Sequence, residues 1–343
     1  MAKTLNWRRC ASAVAVFAIA LVLFDRLIYS AINGIEARIE RSTAVRPKLA
    51  ALPAPAAYEW LILGTSRGYE ALHPALIRRE LGVRAFKEAY QGKGLRYQYE
   101  FYKLYRQMVG RPRVVVFALD YFMFETRSDP VQLRGLGLDD RPGEPAGNSP
   151  WRLRLVSNRL QVEKTILRVV ERVQTRFTPG FDPDRRVEDM EAYTGDPVSH
   201  VVERPAPAEF YQADYRPYPG SEGAYFDKLI RECASEGTAV ALVYPPDYIG
   251  THKTNVGHEA FIADVRRLVR GCPTCSVLDY ADPERFPIAT AGYFLDGGYG
   301  NPNSHLSQAG AALFHRVWLP DVKDILARLG VPAGRHGAPP ASR

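Results

Sequence analysis

Cysteine is scarce in this sequence, long apolar runs are scarcer still, and no glycine-rich phosphate loop of recognised spacing follows its first strand. Four cysteines in 343 residues exclude a scaffold built on disulfides. Cys272-Pro273-Thr274-Cys275 has C-x-x-C spacing, but no second pair completes a zinc site. A strand follows this pair, whereas a thioredoxin motif has its strand before it. The pair could close a local disulfide in an oxidising compartment, but a structural turn is the expectation. Zinc-finger spacing and the aromatic signature of RNA-binding modules are also missing. The net charge of +7 is scattered, as at Arg152/Arg154 and Arg266/Arg267/Arg270, on what read as solvated helix faces. Nucleic acid is therefore not an expected partner. No internal repeat is visible. The length suits one large α/β domain with insertions, or two modest domains.

One apolar run is present. Lys3, Arg8 and Arg9 precede residues 10–24, and the run resumes after Asp25-Arg26 as Leu27-Ile28-Tyr29. Counted through Ile32 it reaches the ~20 residues that a spanning helix needs, with Asp25 and Arg26 snorkelling at the far interface. Positive charge before the run predicts a cytoplasmic N-terminus, with the rest of the chain outside. A cleaved signal peptide is the rival reading. No convincing A-x-A site follows, and Cys10 stands at the start of the run, where a lipoprotein cysteine would not stand. The expectation is an uncleaved single-pass anchor over 1–33. A stalk over 34–57 follows, with a polar helix over 36–46 and the linker Ala-Ala-Leu-Pro-Ala-Pro-Ala-Ala over 50–57.

Beyond the linker, strands alternate with helices. Strands are predicted at 58–63, 84–89, 113–119, 239–244 and 276–280, and helices from Glu70 and over 95–108, 221–236, 257–270 and 307–329. The run Val114-Val115-Val116-Phe117 is that of a strand buried on both faces. Such alternation implies an α/β fold, a flavodoxin-like, doubly wound parallel sheet of about five strands within a domain spanning 58–333. Residues 126–219 interrupt it with Gly/Pro/Asp loops around an amphipathic helix over 151–177. This insertion reads as a helical cap over the sheet edge, a docking surface, or a satellite helix on exposed sheet. The tail 334–343 reads as disordered.

Chemistry concentrates where strand one ends, at Leu61-Ile62-Leu63-Gly64-Thr65-Ser66-Arg67. A serine at a strand-to-helix turn lifts its hydroxyl above the C-terminal edge of the sheet, where open α/β sheets hold their ligands. The helix N-terminus that follows aims backbone N–H groups at a developing oxyanion. A serine nucleophile needs a base, and His305 in Asn301-Pro302-Asn303-Ser304-His305-Leu306-Ser307 is the best candidate, in a polar loop before the final helix, which Ser307 caps. His73 reads as structural. His200, His252 and His258 lie in less defined positions.

Gly64-Thr65-Ser66-Arg67 after a strand, a Gly-bearing loop after strand two, strand three ending at Asp120, and a late His-Leu-Ser-x-x-Gly together resemble the SGNH (GDSL-like) hydrolase superfamily. More narrowly, the chain is similar to its membrane-anchored bacterial branch, associated with O-acylation of cell-surface polysaccharides beside membrane-bound O-acyltransferases and with D-alanylation of teichoic acid. The resemblance covers about 59–123 and 239–325. It implies a serine acyltransferase or esterase in the bacterial inner membrane, its soluble domain on the periplasmic side. The implied substrate is an acylated cell-envelope glycan, with a membrane-bound O-acyltransferase as partner and no metal or cofactor. Ser66 would be the nucleophile and, through its own N–H, an oxyanion donor. Gly92 or Gly94 would be the second donor, and His305 the base. The family's acid commonly stands three residues before the histidine, where this chain has Pro302. Asp296, in Phe294-Leu295-Asp296-Gly297-Gly298, is the preferred acid and Asn303 the fallback. The Asn donor of the family's third block is replaced by Ala118-Leu119-Asp120. Asp120 is expected to bind substrate or cap the loop, and Arg67 to hold an anionic group or bridge to Asp120. Two rival readings are an accessory protein of weak activity in a polysaccharide-modifying complex, and a flavodoxin-like module cradling a phosphate at Gly64-Thr65-Ser66.

Overall fold

The structure is a computed structural model that describes residues 7–43, 45–50, 52, 58–89, 93–120, 122–125, 128, 130–138, 222–249, 257–296 and 302–331. Linker residues 53–57, the helix predicted over 151–177 with most of the insertion, His200, His252 and the 334–343 tail lie outside the described residues. The chain divides into two compact units. Helix α1 (Trp7–Thr43) belongs to the first, and every other described element to the second.

Within α1, Val14–Ile32 forms 19 residues of mean hydropathy 2.0, long and apolar enough to cross a membrane. Val14, Phe17, Leu23 and Leu27 are among its exposed side chains. The expected polar continuation belongs to this same helix as far as Thr43, and α2 (Val45–Ala50) follows.

In the second unit five strands form one parallel sheet in the order β2-β1-β3-β4-β5. They are β1 (Tyr58–Gly64), β2 (Arg84–Ala89), β3 (Val114–Ala118), β4 (Ala239–Tyr244) and β5 (Cys275–Asp279). Between β1 and β2 run α3 (Ser66–Ala71) and α4 (Pro74–Leu81), and α5 (Leu95–Met108) leads to β3. The short helices α6 (Phe122–Glu125) and α7 (Pro130–Gly135) follow β3. Further on, α8 (Gly223–Ser235) precedes β4 and α9 (His258–Leu268) precedes β5. An antiparallel hairpin of β6 (Phe294–Asp296) and β7 (Pro302–Leu306) leads into α10 (Gln308–Arg328).

Alternation along the strands divides the core between two faces. Trp60, Ile62, Val114 and Val116 share a cluster with Phe314 and Trp318 of α10. On the opposite face Phe86 stacks on Phe101 of α5, and Phe117 meets Phe226 of α8 edge-on. Both faces of the central strands are therefore covered, which is why their sequences are continuously apolar.

The structure corrects two expectations. The helix after β1 begins at Ser66 rather than Glu70, and it breaks at Leu72-His73 before Pro74 restarts it as the first residue of α4. Proline is suited to that first-turn position because its missing N–H would have no helical partner. His305 lies not in a polar loop but on β7, with Leu306 paired to Phe294 across the hairpin. Ser307 caps α10 as expected, accepting the Gly310 N–H at 3.2 Å. Cys272 and Cys275 are joined by a disulfide that closes the turn into β5, and Cys233 is free and buried.

Candidate active site

The turn after β1 is shaped by what lies beneath it. Gly64 has φ +145°, a conformation that favours glycine. A Cβ at Gly64 would lie 2.7 Å from the Ala118 Cβ, and one at Gly68 would lie 2.4 Å from it. The two glycines thus let α3 descend onto the end of β3. Gln98 of α5, fully buried, treats Gly64 as a strand neighbour would. Its Nε2 donates to the Gly64 carbonyl at 2.8 Å, and its Oε1 accepts the Gly64 N–H at 3.3 Å. Thr65 occupies the N-cap of α3 without capping it and instead donates its hydroxyl to Asp120 Oδ2 at 3.1 Å.

Ser66 opens α3, and its Oγ lies 2.8 Å from His305 Nε2, across 239 residues of sequence. The β6–β7 pairing fixes the strand that carries the imidazole, with Leu306 buried as its anchor in the core. Burial lowers the His305 pKa to about 4, and the nearby Arg67 charge adds to the shift. The ring is therefore neutral at physiological pH. A neutral ring that accepts the Ser66 proton at Nε2 carries its own proton on Nδ1.

Arg67, next to Ser66 in sequence, is turned away from solvent and only 4% exposed. Its Nη2 lies 2.7 Å from Asp247 Oδ1 and donates to the Pro245 carbonyl at 2.7 Å. Nη1 is 4.0 Å from Asp120 Oδ1, and the guanidinium stacks 4.4 Å from the centre of the Tyr244 ring. Tyr244 in turn donates to Asp247 Oδ2 at 2.7 Å. Burial alone would lower the Arg67 pKa, but Asp247, Tyr244 and Asp120 more than offset it and hold the group firmly charged. Arg67 and Asp120 thus belong to a buried network beneath the turn. Of the two expectations for Arg67, this geometry is that of a bridge rather than of a group open to substrate.

The remaining sequence-derived residues divide differently. Gly94 is the N-cap residue of α5, whereas Gly92 lies outside the described residues. The backbone of Asp296 sits on β6 opposite Pro302. The hairpin therefore returns a residue nine positions upstream to the strand that carries His305. The side chains of Asp296 and Asn303 lie outside the described residues. Sequence reading missed Gln98, Gly68, Asp247 and Tyr244. Asp247 had one signal, an acidic residue just past a strand at the same sheet edge; Gln98 had none.

Gly68→Ala should lower stability by about 1–3 kcal/mol, because the new methyl meets Ala118 and the core must give way. It should also displace Ser66 from its contact with His305. Combining it with Ala118→Gly should recover part of the lost stability, measured as the thermal midpoint.

Beneath α3 lies a buried cluster that sets the acid behaviour of the fold. Burial, with the Lys87 charge behind it, lowers the His73 pKa to about 4, and His315 is held well below its usual value. His315 Nε2 accepts the His73 backbone N–H at 2.9 Å. Burial raises Glu70 to about 8, Lys87 opposing, and lowers Lys87 to about 8, Glu70 opposing. As pH falls from 6.5, the unfolded chain protonates three imidazoles (His73, His305 and His315) that the fold keeps neutral. Glu70 works in the opposite sense down to 4.5, since the fold holds a proton that the unfolded chain has released. Three groups against one leave a net loss of stability on acidification. The urea midpoint should therefore be lower at pH 4.5 than at neutral pH.

In comparisons with known proteins, no family model matches the chain, and no curated protein matches it.

Proposed function

We propose that this protein is a membrane-anchored, SGNH-like serine acyltransferase or esterase acting on acyl groups, acetyl in the first instance, of cell-envelope polysaccharide. The observation that carries the reading is the 2.8 Å contact between Ser66 Oγ and a neutral His305, at the C-terminal edge of a parallel sheet. The strand order β2-β1-β3-β4-β5 supports the flavodoxin-like arrangement, whose chain reversal beside β1 is where such sheets bind ligands. The resemblance of the motifs in order and spacing supports the superfamily. The helix Val14–Ile32 supports an anchor that holds the site at the bacterial inner membrane on its periplasmic face.

His305 Nε2 takes the proton of Ser66 as Oγ attacks the ester carbonyl. The Ser66 N–H, with that of Gly92 or Gly94, holds the resulting oxyanion, each donor contributing about 3 kcal/mol. The imidazolium returns its proton to the leaving oxygen, and the acyl group remains on Ser66. A sugar hydroxyl, or water, gives its proton to His305 and attacks the acyl-serine; collapse restores the serine. Asp296 on the paired strand orients the imidazole, Asn303 being the fallback. A membrane-bound O-acyltransferase is the partner that presents the acyl group.

The test is hydrolysis of a chromogenic acetyl ester by the full chain in detergent micelles. Turnover that is flat from neutral pH down to pH 5, with an acid limb near the His305 pKa of about 4, is the expected result. An inert protein with its fold confirmed by circular dichroism would shift the reading to the accessory role.

A further inference from the structure

The N-terminus of α5 is capped from a distance. Its N-cap residue, Gly94, has no side chain with which to do so. Glu222 Oε2 accepts the Arg96 N–H at 3.1 Å, and Ser128 Oγ accepts the Tyr97 N–H at 2.9 Å. These two residues also hold each other. The Ser128 N–H donates to Glu222 Oε1 at 2.5 Å, and the Ser128 hydroxyl donates to Oε2 at 2.7 Å. Both side chains are buried. They press directly on Gly94, where a Cβ would lie 2.7 Å from Ser128 Oγ and 2.8 Å from Glu222 Oε2.

The first turn of α5 carries this contact onward. The Gly94 carbonyl accepts the Gln98 N–H at 3.2 Å, and the Gln98 side chain grips Gly64 through both its peptide groups. Hydrogen bonds and the first-turn backbone of α5 together thus connect Glu222 to the residue two positions before Ser66. Ser128, just inside the start of the 126–219 insertion, thereby meets Glu222, just past its end.

We propose that Glu222 and Ser128 are positioning residues of the acyl-transfer site, a clamp that sets the Gly94 end of the oxyanion loop and, through Gln98, the turn that presents Ser66. This rests on the reading of Ser66 as the nucleophile. The carboxylate is needed because its two oxygens accept from the Arg96 N–H and from the N–H and hydroxyl of Ser128. A carboxamide would aim its own N–H group at at least one of those donors.

The experiment compares wild type, Glu222→Gln, Ser128→Ala and Ser128→Thr as full chains in micelles. Its readouts are kcat and KM for the acetyl ester, and the affinity for an alkylboronic acid that adds to the serine as a tetrahedral anion. Glu222→Gln should lower kcat by about tenfold or more, leave KM within about twofold, and weaken the boronate by a matching factor, because the loss falls on the oxyanion rather than on ground-state binding. Ser128→Ala should do the same more mildly, and Ser128→Thr, which keeps the hydroxyl, should restore most of the rate. Unchanged kcat in both Glu222→Gln and Ser128→Ala, beside an active wild type, would overturn the clamp alone. So would a kcat loss that follows the folded fraction while boronate affinity of the folded protein stays constant. An inert, folded wild type would overturn the serine mechanism and the clamp together.

Discussion

Ser66→Ala and His305→Ala should each lower ester turnover by about 10³- to 10⁶-fold, and the double variant should be no slower than the worse single one. The two side chains share one proton across 2.8 Å, so removing either removes the same step. In the proposed mechanism, alanine at Ser66 deletes the atom that bonds to the acyl carbon. Alanine at His305 leaves a hydroxyl with no acceptor for its proton, and an unassisted serine hydroxyl is a poor nucleophile at neutral pH. Residual turnover in either variant would come from the oxyanion donors acting on bound ester and water. Single losses that multiply in the double variant would mean that the residues act independently, contrary to the pairing. Both variants should fold, since Ser66 and His305 stand partly exposed at the sheet edge.

Arg67→Met should produce the largest stability loss of any single change near the site, about 3–5 kcal/mol. The side chain is buried beside Asp247 and Asp120, at 2.7 Å and 4.0 Å respectively. Methionine fills much of the volume but leaves Asp247 without its cation and the Pro245 carbonyl without its donor. Set against a total stability of roughly 5–15 kcal/mol for a domain of this kind, such a loss brings the fold close to its limit. A second effect separates charge from packing. Arg67 is one of the two influences that hold His305 near 4. Without that positive charge the imidazole protonates more readily, so the acid limb of kcat/KM should move to higher pH, though short of 6.5 because burial remains. Arg67→Lys should keep much of the charge effect and lose the two-pronged contacts, giving a smaller shift beside a clear loss of stability. Urea titrations and pH–rate profiles of the three proteins check both parts. An unchanged acid limb in Arg67→Met would show that the guanidinium does not govern the base.

Much of the sheet was legible because its strands are buried on both faces and connected by amphipathic helices. Strands β2 and β4 and helix α5 fall on their expected bounds. The start of α3 was not legible, since Gly68 argues locally against helix. Its reason is tertiary: Ala118 leaves no room for a side chain there. The β6–β7 hairpin was missed because its second strand, Pro-Asn-Ser-His-Leu, is mostly polar and β6 is only three residues long. Ser66 and His305 stood out through their positions after a strand and before a helix, and the fold brings them into contact. Gln98, Asp247, Ser128 and Glu222 act across separations such as the 126 residues between Arg96 and Glu222. A pairing at that range leaves no periodicity or motif in a single sequence.

In the proposed mechanism Ser66 takes up the acyl group with His305 as its base. Stoichiometric labelling of the full chain with an alkyl fluorophosphonate, with the modified residue located by peptide mass spectrometry, tests this. One label per chain on Ser66, absent in Ser66→Ala and formed far more slowly in His305→Ala, is the expected result. A protein active on esters that carries its label elsewhere, or a label rate indifferent to His305, would contradict it.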